Sequence, residues 1–310
     1  MNRVPDKLLR LRKIDLSSQE REPAPFIVGV TRSGTTLLRL MLDAHPELTI
    51  PPETHFLTKV IRQARGDEPD VKKIFKAYTK NRRWADFDLD AEVFRRRLVR
   101  LEPLDETSAI RCFYDLYAKG KGKPRWGDKT PGYQVRMKRI SRALPEARFV
   151  HVIRDGRDVV LSQWSKSERP TPVDEAAKRW QQRIRRSRQI ATKIPDVYME
   201  VRYEDLVRDP ETQVQAVCEF VRLDFDPVML RHHEGAEERL GEIAKALPAR
   251  GGARELDAET RMEAHEMAGQ PLSEKRVEAW RREMSPADIE AFEAVAGEML
   301  EELGYPLSGA

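Results

Sequence analysis

Short apolar runs alternate with longer amphipathic stretches through the first two thirds of the chain. Phe26–Val30 (FIVGV), Leu48–Ile50, the stretch around Arg125–Gly127, Arg148–Ile153 (RFVHVI) and Val197–Val201 (VYMEV) read as strands, each followed by a polar turn. Between them lie amphipathic patterns, as in Arg179–Arg188 (RWQQRIRRSR), where Trp180 and Ile184, with Ile190 just beyond, fall on one side. Strands alternating with helices predict an α/β fold, a P-loop-like three-layer arrangement with a central, mostly parallel sheet flanked by helices. Residues 1–24 form a charged leader that runs into Pro23-Ala24-Pro25, and residues 25–310 form one domain. Two less regular regions, Arg62–Lys123 and Arg231–Gln270, belong to a helical insertion over about 57–123 and a lid or acceptor-side region over about 229–275. A helix over about 286–303 closes the domain. Above an open parallel sheet, such insertions lie over the carboxyl edge.

Composition adds limits. With 40% apolar and 35% charged residues among 310, the chain can bury a core and will carry a strongly charged surface. Its 56 Lys and Arg stand against 52 Asp and Glu, a net +4, and the signs alternate along helices. No nucleic-acid partner is expected, although a locally basic field attracts an anionic cofactor. Cys112 and Cys218 sit in amphipathic segments without metal-ligand spacing, and read as buried free thiols. No apolar run of about 18 residues exists, and the N-terminus lacks the apolar centre of a signal peptide, so no membrane span and a cytoplasmic location are expected.

The segment FIVGVTRSGTTLLRLML sets Gly29, Arg32, Ser33, Gly34, Thr35 and Thr36 between a strand and a helix beginning near Thr35. Backbone N–H groups and a helix N-terminus bind phosphate in that architecture. The glycine spacing matches a Walker A loop, but Thr35 stands where the lysine belongs. That lysine serves β- and γ-phosphates, and the next hydroxyl holds Mg²⁺. A nucleotide with one 5′-phosphate followed by sulfate needs neither, and Arg32 can offer donors in their place.

Ligands sit beyond the carboxyl ends of the strands in such sheets, so the residues after the other apolar runs are candidate site residues. In IPPETHF two prolines carry Glu53 off the sheet edge, where a carboxylate can take a proton from an acceptor hydroxyl. His55 competes for that role through its near-neutral pKa; Glu53 is preferred because the prolines fix its approach. In RWGDKTPGY, Lys129 follows a strand and can neutralise charge developing on a leaving phosphate oxygen. In RFVHVIRDGRDVVLSQW, Arg154 and Ser162 are placed to bind a second phosphate, against the plainer reading of an Asp155 helix cap beside a solvated arginine. EVRYEDLVRDP offers Arg202 and Tyr203, the latter near the base or the ribose. Phe56, Trp84, Phe87, Trp164 and Trp180 fit a core better than an acceptor pocket, and Trp280 reads as packing.

Together GVTRSGTTLLRLMLDAHPEL, ETHF, GDKTP, VIRDGRDVVLS and RYEDL resemble sulfotransferases that use 3′-phosphoadenosine 5′-phosphosulfate, in the branch with tyrosylprotein sulfotransferases and bacterial small-molecule enzymes. The likeness spans about residues 25–225, with SEKRVEAWRREMS and the helix before Gly304 and Tyr305 as a tail. It implies that Arg32–Thr36 bind the 5′-phosphosulfate and that Arg154 and Ser162 bind the 3′-phosphate. It further implies that Glu53 is the base and that Lys129 and Arg32 stabilise the transferring group. The Arg-Lys-Gly run of the cytosolic branch is missing; Ser273, Lys275 and Arg276 stand in the region that would do comparable work. The expected function is sulfuryl transfer from this donor, without metal, to a hydroxylated small molecule: a phenol, natural product, carbohydrate or lipid. The product nucleotide would be 3′,5′-adenosine bisphosphate. A P-loop-type kinase and a non-catalytic nucleotide-binding relative are the alternatives.

Overall fold

The structure is a computed structural model that describes residues 12–165, 171–249, 255–263 and 266–309. Residues 1–11 of the expected leader lie outside the described residues. The strands are β1 (Ala24–Gly29), β2 (Leu48–Thr49), β3 (Arg125–Trp126), β4 (Asp128–Lys129), β5 (Ala147–Ile153) and β6 (Tyr198–Arg202). The main sheet is parallel in the order β4-β1-β5-β6, and β2 pairs with β3 beside it. All six residues of β1 are buried, as a strand covered on both faces requires. The run expected around Arg125–Gly127 is divided. At Gly127 the chain leaves β2 for β1, passing so close that a Cβ there would lie 2.7 Å from the Pro25 carbonyl oxygen.

Helices follow as α1 (Thr35–Asp43), α2 (Leu57–Ala64), α3 (Val71–Thr79), α4 (Ala91–Val99), α5 (Glu106–Gly120), α6 (Met137–Ala143), α7 (Gly156–Trp164), α8 (Val173–Ala191), α9 (Tyr203–Arg208) and α10 (Pro210–Phe220). Alternation along the strands sorts the core into layers. Phe26, Val28 and Phe149 meet an aromatic cluster from α2 to α6 that includes Phe56, Tyr78, Phe87 and Phe113. Ile27, Val150 and Val152 meet Leu38 and Met41 of α1 and Val214 and Val217 of α10. Phe56 and Phe87 are 1% exposed and Trp180 is 2% exposed, so these aromatics are core. Trp84 and Trp164 are partly buried at its margin. Cys112 and Cys218 are buried free thiols, as expected.

The lid region contains α11 (Ala236–Gly241) and α12 (Ala258–Glu263), and α13 (Trp280–Glu283) and α14 (Pro286–Glu302) complete the chain. Ion pairs fasten this region to the rest of the domain. Arg239 pairs with Asp43 of α1 at 2.5 Å and with Glu242 at 2.6 Å, while Arg39 reaches Glu242 at 3.0 Å. Arg261 of α12 pairs with buried Asp86 at 2.6 Å. Among the described residues no helix is long and apolar enough to cross a membrane.

β1 and β5 are neighbours whose onward connections run to opposite sides, β1 toward β4 and β5 toward β6. That is a topological switch point, where open α/β sheets bind ligands beyond the carboxyl ends. The Gly29-to-Val152 register brings the loop after β1 beside the loop after β5.

Candidate active site

The loop after β1 turns sharply because Arg32 (φ 77°) and Gly34 (φ 91°) both take the left-handed conformation. Gly34 is the N-cap of α1 and brings no capping side chain to its first turn, which leaves the helix dipole open to an anion. A Cβ at Gly34 would lie 2.3 Å from Cδ2 of Tyr203, so glycine is required by space as well as by φ. Ser33 departs from expectation. It is 1% exposed and its amide donates to the Val30 carbonyl at 3.1 Å, closing the turn from inside. Its Oγ is buried without a hydrogen-bond partner among the described residues.

Arg154, at the end of β5, is not a solvated arginine. It is 6% exposed, stacks on the Tyr203 ring at 4.4 Å, and donates to the Arg32 carbonyl at 3.2 Å and the Arg276 carbonyl at 2.6 Å. One guanidinium thus ties the phosphate loop to the lid region. Its Nε keeps no partner among the described residues. Ser162, on α7, accepts a hydrogen bond from Arg32 Nε at 3.0 Å, which places Arg32, Arg154 and Ser162 in one site. Burial, then repulsion from Arg154 and Arg276, holds the Arg32 guanidinium below its usual pKa. Asp158 stands 3.6 Å from Arg154, and Glu283 stands 3.4 Å from the exposed Arg276, so the three guanidinium groups are only partly balanced and favour an added anion.

Glu53 and Lys129 meet at 2.7 Å, with Lys129 3% and Glu53 16% exposed at the side chain. Lys129 Nζ also lies 3.4 Å from Thr36 Oγ1, so the lysine bridges the base candidate and the phosphate loop. His55 Nε2 holds the other oxygen of Glu53 at 2.8 Å, and Arg83 stands 3.5 Å from it. Burial pushes the Glu53 carboxyl up, but Lys129, His55 and Arg83 together outweigh it and set its pKa well below the usual value. Burial pushes Lys129 down while Glu53 opposes the shift. Arg83, from the turn after α3, carries no motif that would have marked it.

A cavity of about 370 Å³ has walls that include Arg32, Gly34, Thr35, Thr36, Glu53, Arg154, Ser162, Tyr203, Ser273 and Arg276; Lys129 is not among the lining residues and lies behind Glu53 and Thr36. Met267, Ala268 and Leu272 of the lid region give it an apolar side. Lys275 is not among the lining residues; its amide donates to Ser273 Oγ at 3.3 Å in a local turn. Asp155 does cap α7, and both its carboxylate oxygens are engaged by Arg157.

Fold and site first define a class: a three-layer α/β protein whose loop after β1 lacks the Walker lysine and stands beside Arg32, Arg154 and Arg276. The chain belongs to the sulfotransferase family, matching it over residues 23–227. It is 32% identical over 230 residues to a Caenorhabditis briggsae protein assigned as a protein-tyrosine sulfotransferase, covering 70% of this chain and 72% of that one. It is 28% identical over 224 residues to the protein-tyrosine sulfotransferase of Drosophila melanogaster, covering 70% of this chain but 42% of that protein. The sulfotransferase domain from the curacin biosynthetic pathway shares the fold with a TM-score of 0.58 at 20% identity, over 93% of this chain and all of that domain.

Proposed function

We propose that this protein transfers a sulfuryl group from 3′-phosphoadenosine 5′-phosphosulfate to an acceptor hydroxyl, with Glu53 as general base. The observation that carries the reading is the convergence of Arg32, Arg154 and Arg276 on one cavity with the Gly34 turn and Glu53, whose partner Lys129 reaches Thr36 of the cavity wall. A bis-anionic nucleotide suits those residues. The unpartnered Nε of Arg154 and the close fit of Gly34 against Tyr203 belong to a site shaped for it. The Gly34 turn and Arg32 would hold the 5′ chain, Arg154 and Ser162 the 3′-phosphate, and Tyr203 would flank the nucleotide.

When bound, the phosphosulfate supplies the sulfuryl group: the acceptor oxygen forms a new bond to sulfur as the bond to the leaving phosphate oxygen breaks. Glu53 takes the acceptor's proton, and its low pKa keeps it ionised and ready at neutral pH. Lys129 offsets charge on the leaving oxygen, and Arg32 offsets charge on the sulfuryl oxygens. A kinase reading fits less well, because Thr35 occupies the Walker lysine position and both oxygens of Asp155, the candidate Mg²⁺ ligand, are held by Arg157.

The acceptor is a hydroxylated small molecule on the sequence reading, whereas the relatives named above are assigned to protein tyrosine. Calorimetry with 3′,5′-adenosine bisphosphate tests the donor site. Labelled-sulfate transfer to phenols, sugars and a tyrosine peptide then tests the acceptor class. Binding of Mg·ATP with no response to the bisphosphate would overturn the reading. Lys129→Ala should lower turnover about a hundredfold.

A further inference from the structure

Thr54, between Glu53 and His55, is fully buried and fixed at every polar atom. Its amide donates to Thr130 Oγ1 at 3.0 Å, its hydroxyl meets Asp128 Oδ2 at 2.8 Å and Tyr133 OH at 2.9 Å, and its carbonyl accepts from Asn81 at 2.9 Å. The residues on either side therefore start from a rigid point. His55 then takes a left-handed conformation, φ 52°, which is strained for a non-glycine residue. Its side chain is 43% exposed, so packing offers little compensation, yet the ring reaches Glu53 Oε2 at 2.8 Å. Strain at an exposed residue whose side chain contacts the base candidate points to function.

We infer that His55 is a positioning residue: its Nε2–H fixes one carboxylate oxygen of Glu53 and aims the other at the acceptor hydroxyl. The inference rests on Glu53 being the base. Lys129 engages Oε1 in the free enzyme; when Lys129 turns to the leaving phosphate, Oε1 is released for the acceptor. Without His55 the carboxylate would lose a tether at the moment Lys129 leaves it. Among the described residues, the titratable groups facing Glu53 are Lys129 from β4, Arg83 from the turn after α3, and His55 itself. The hydrogen bond from His55 favours the ionised carboxylate, so removing it raises the Glu53 pKa and moves the acid limb of kcat/KM to higher pH.

His55→Gly is the informative variant, because glycine adopts the same φ without strain and a purely structural role would leave it as stable as the parent or more so. Expected are an unchanged or higher Tm, an unchanged affinity for 3′,5′-adenosine bisphosphate, and a kcat lower by about ten- to a hundredfold. Carboxyl ¹³C NMR of the free enzyme should show Glu53 titrating at higher pH than in the parent. His55→Gln, which restores an N–H donor, should recover most of kcat and of the titration shift. An unmoved Glu53 titration in His55→Gly overturns the inference while leaving the sulfotransferase reading intact. So does transfer that survives Glu53→Gln but not His55→Gly, which would make His55 the base. Failure of the parent protein to bind the bisphosphate overturns the reading of the site instead.

Discussion

Replacing Glu53 by Gln should make the protein bind 3′,5′-adenosine bisphosphate more tightly while abolishing turnover. Lys129 is 3% exposed, and its ammonium sits 2.7 Å from Glu53. Removing one member of a buried pair typically costs about 3–5 kcal/mol, because the other charge stays buried. Glu53 is 16% exposed, and the glutamine carbonyl keeps one acceptor for Lys129, so about 1–2 kcal/mol of that cost is expected here. A bound 5′-phosphate would return the missing negative charge, so the cost falls on the free enzyme alone. At 1.4 kcal/mol per decade, the affinity gain is about tenfold.

The sign of the pH dependence follows from Lys129. Burial already lowers its pKa and Glu53 holds it up, so in Glu53→Gln the lysine loses its proton at lower pH than in the parent. The gain in affinity should therefore be fully present while Lys129 is protonated and shrink as pH rises. Near that point, binding should take up a proton. Titration calorimetry in buffers of different ionisation enthalpy measures affinity and proton uptake together. Equal or weaker binding by Glu53→Gln across the pH range would refute the reasoning, because Lys129 would then not be the group that meets the nucleotide.

Gly34→Ala must accommodate a Cβ 2.3 Å from the Tyr203 ring at φ 91°, so bisphosphate affinity should fall at least about tenfold by calorimetry, with the fold retained in circular dichroism. Asp158 is pushed by burial up to about 6 from 3.8, even with Arg154 nearby. Because the folded-state value is raised, the native protein holds the proton and loses stability as pH climbs through about 6, by up to about 3 kcal/mol. Asp158→Asn should remove that slope in denaturant titrations between pH 4 and about 7. Asp86→Ala leaves the Arg261 guanidinium buried without its carboxylate, and should destabilise the protein by about 3–5 kcal/mol in a urea series.

The parts of the site that could be read from the sequence are those whose signal is local. The glycine spacing around Arg32 and Gly34 lies within one loop, and the strand–Arg154–Asp155–Gly156 run within another, so periodicity and turn chemistry mark both. Two prolines likewise single out Glu53. What holds these groups in place was not legible, because it is made of contacts between distant segments. Thr54 meets Thr130 across 76 positions, and Arg239 meets Asp43 across 196. Arg83 reaches Glu53 only because α3 ends beside the loop that follows Pro51 and Pro52. The sequence reading also allowed a solvated Arg154, since no local feature announces that Tyr203 will stack on it. Element boundaries moved by a residue or two, and the run near Gly127 divided because one strand changes partners there.

The charges of the site explain why the lid must be latched elsewhere. Arg276 is carried on the lid segment and lies close enough to Arg32 to lower its pKa, so without an anion the lid's own contribution to the cavity repels the phosphate loop. Arg154 donates to the Arg276 carbonyl across this gap, a hydrogen bond worth about 1.5–3 kcal/mol when the donor is charged, and Arg208 of α9 pairs with Glu274 and Glu278 on either side of Arg276. The buried pairs Arg239–Asp43 and Arg261–Asp86 lie outside the cavity and hold the lid from its far side. That division lets the cavity keep an excess of positive charge available to an anion, since the ion pairs that hold residues 236–263 against the domain are not made by the residues that line it.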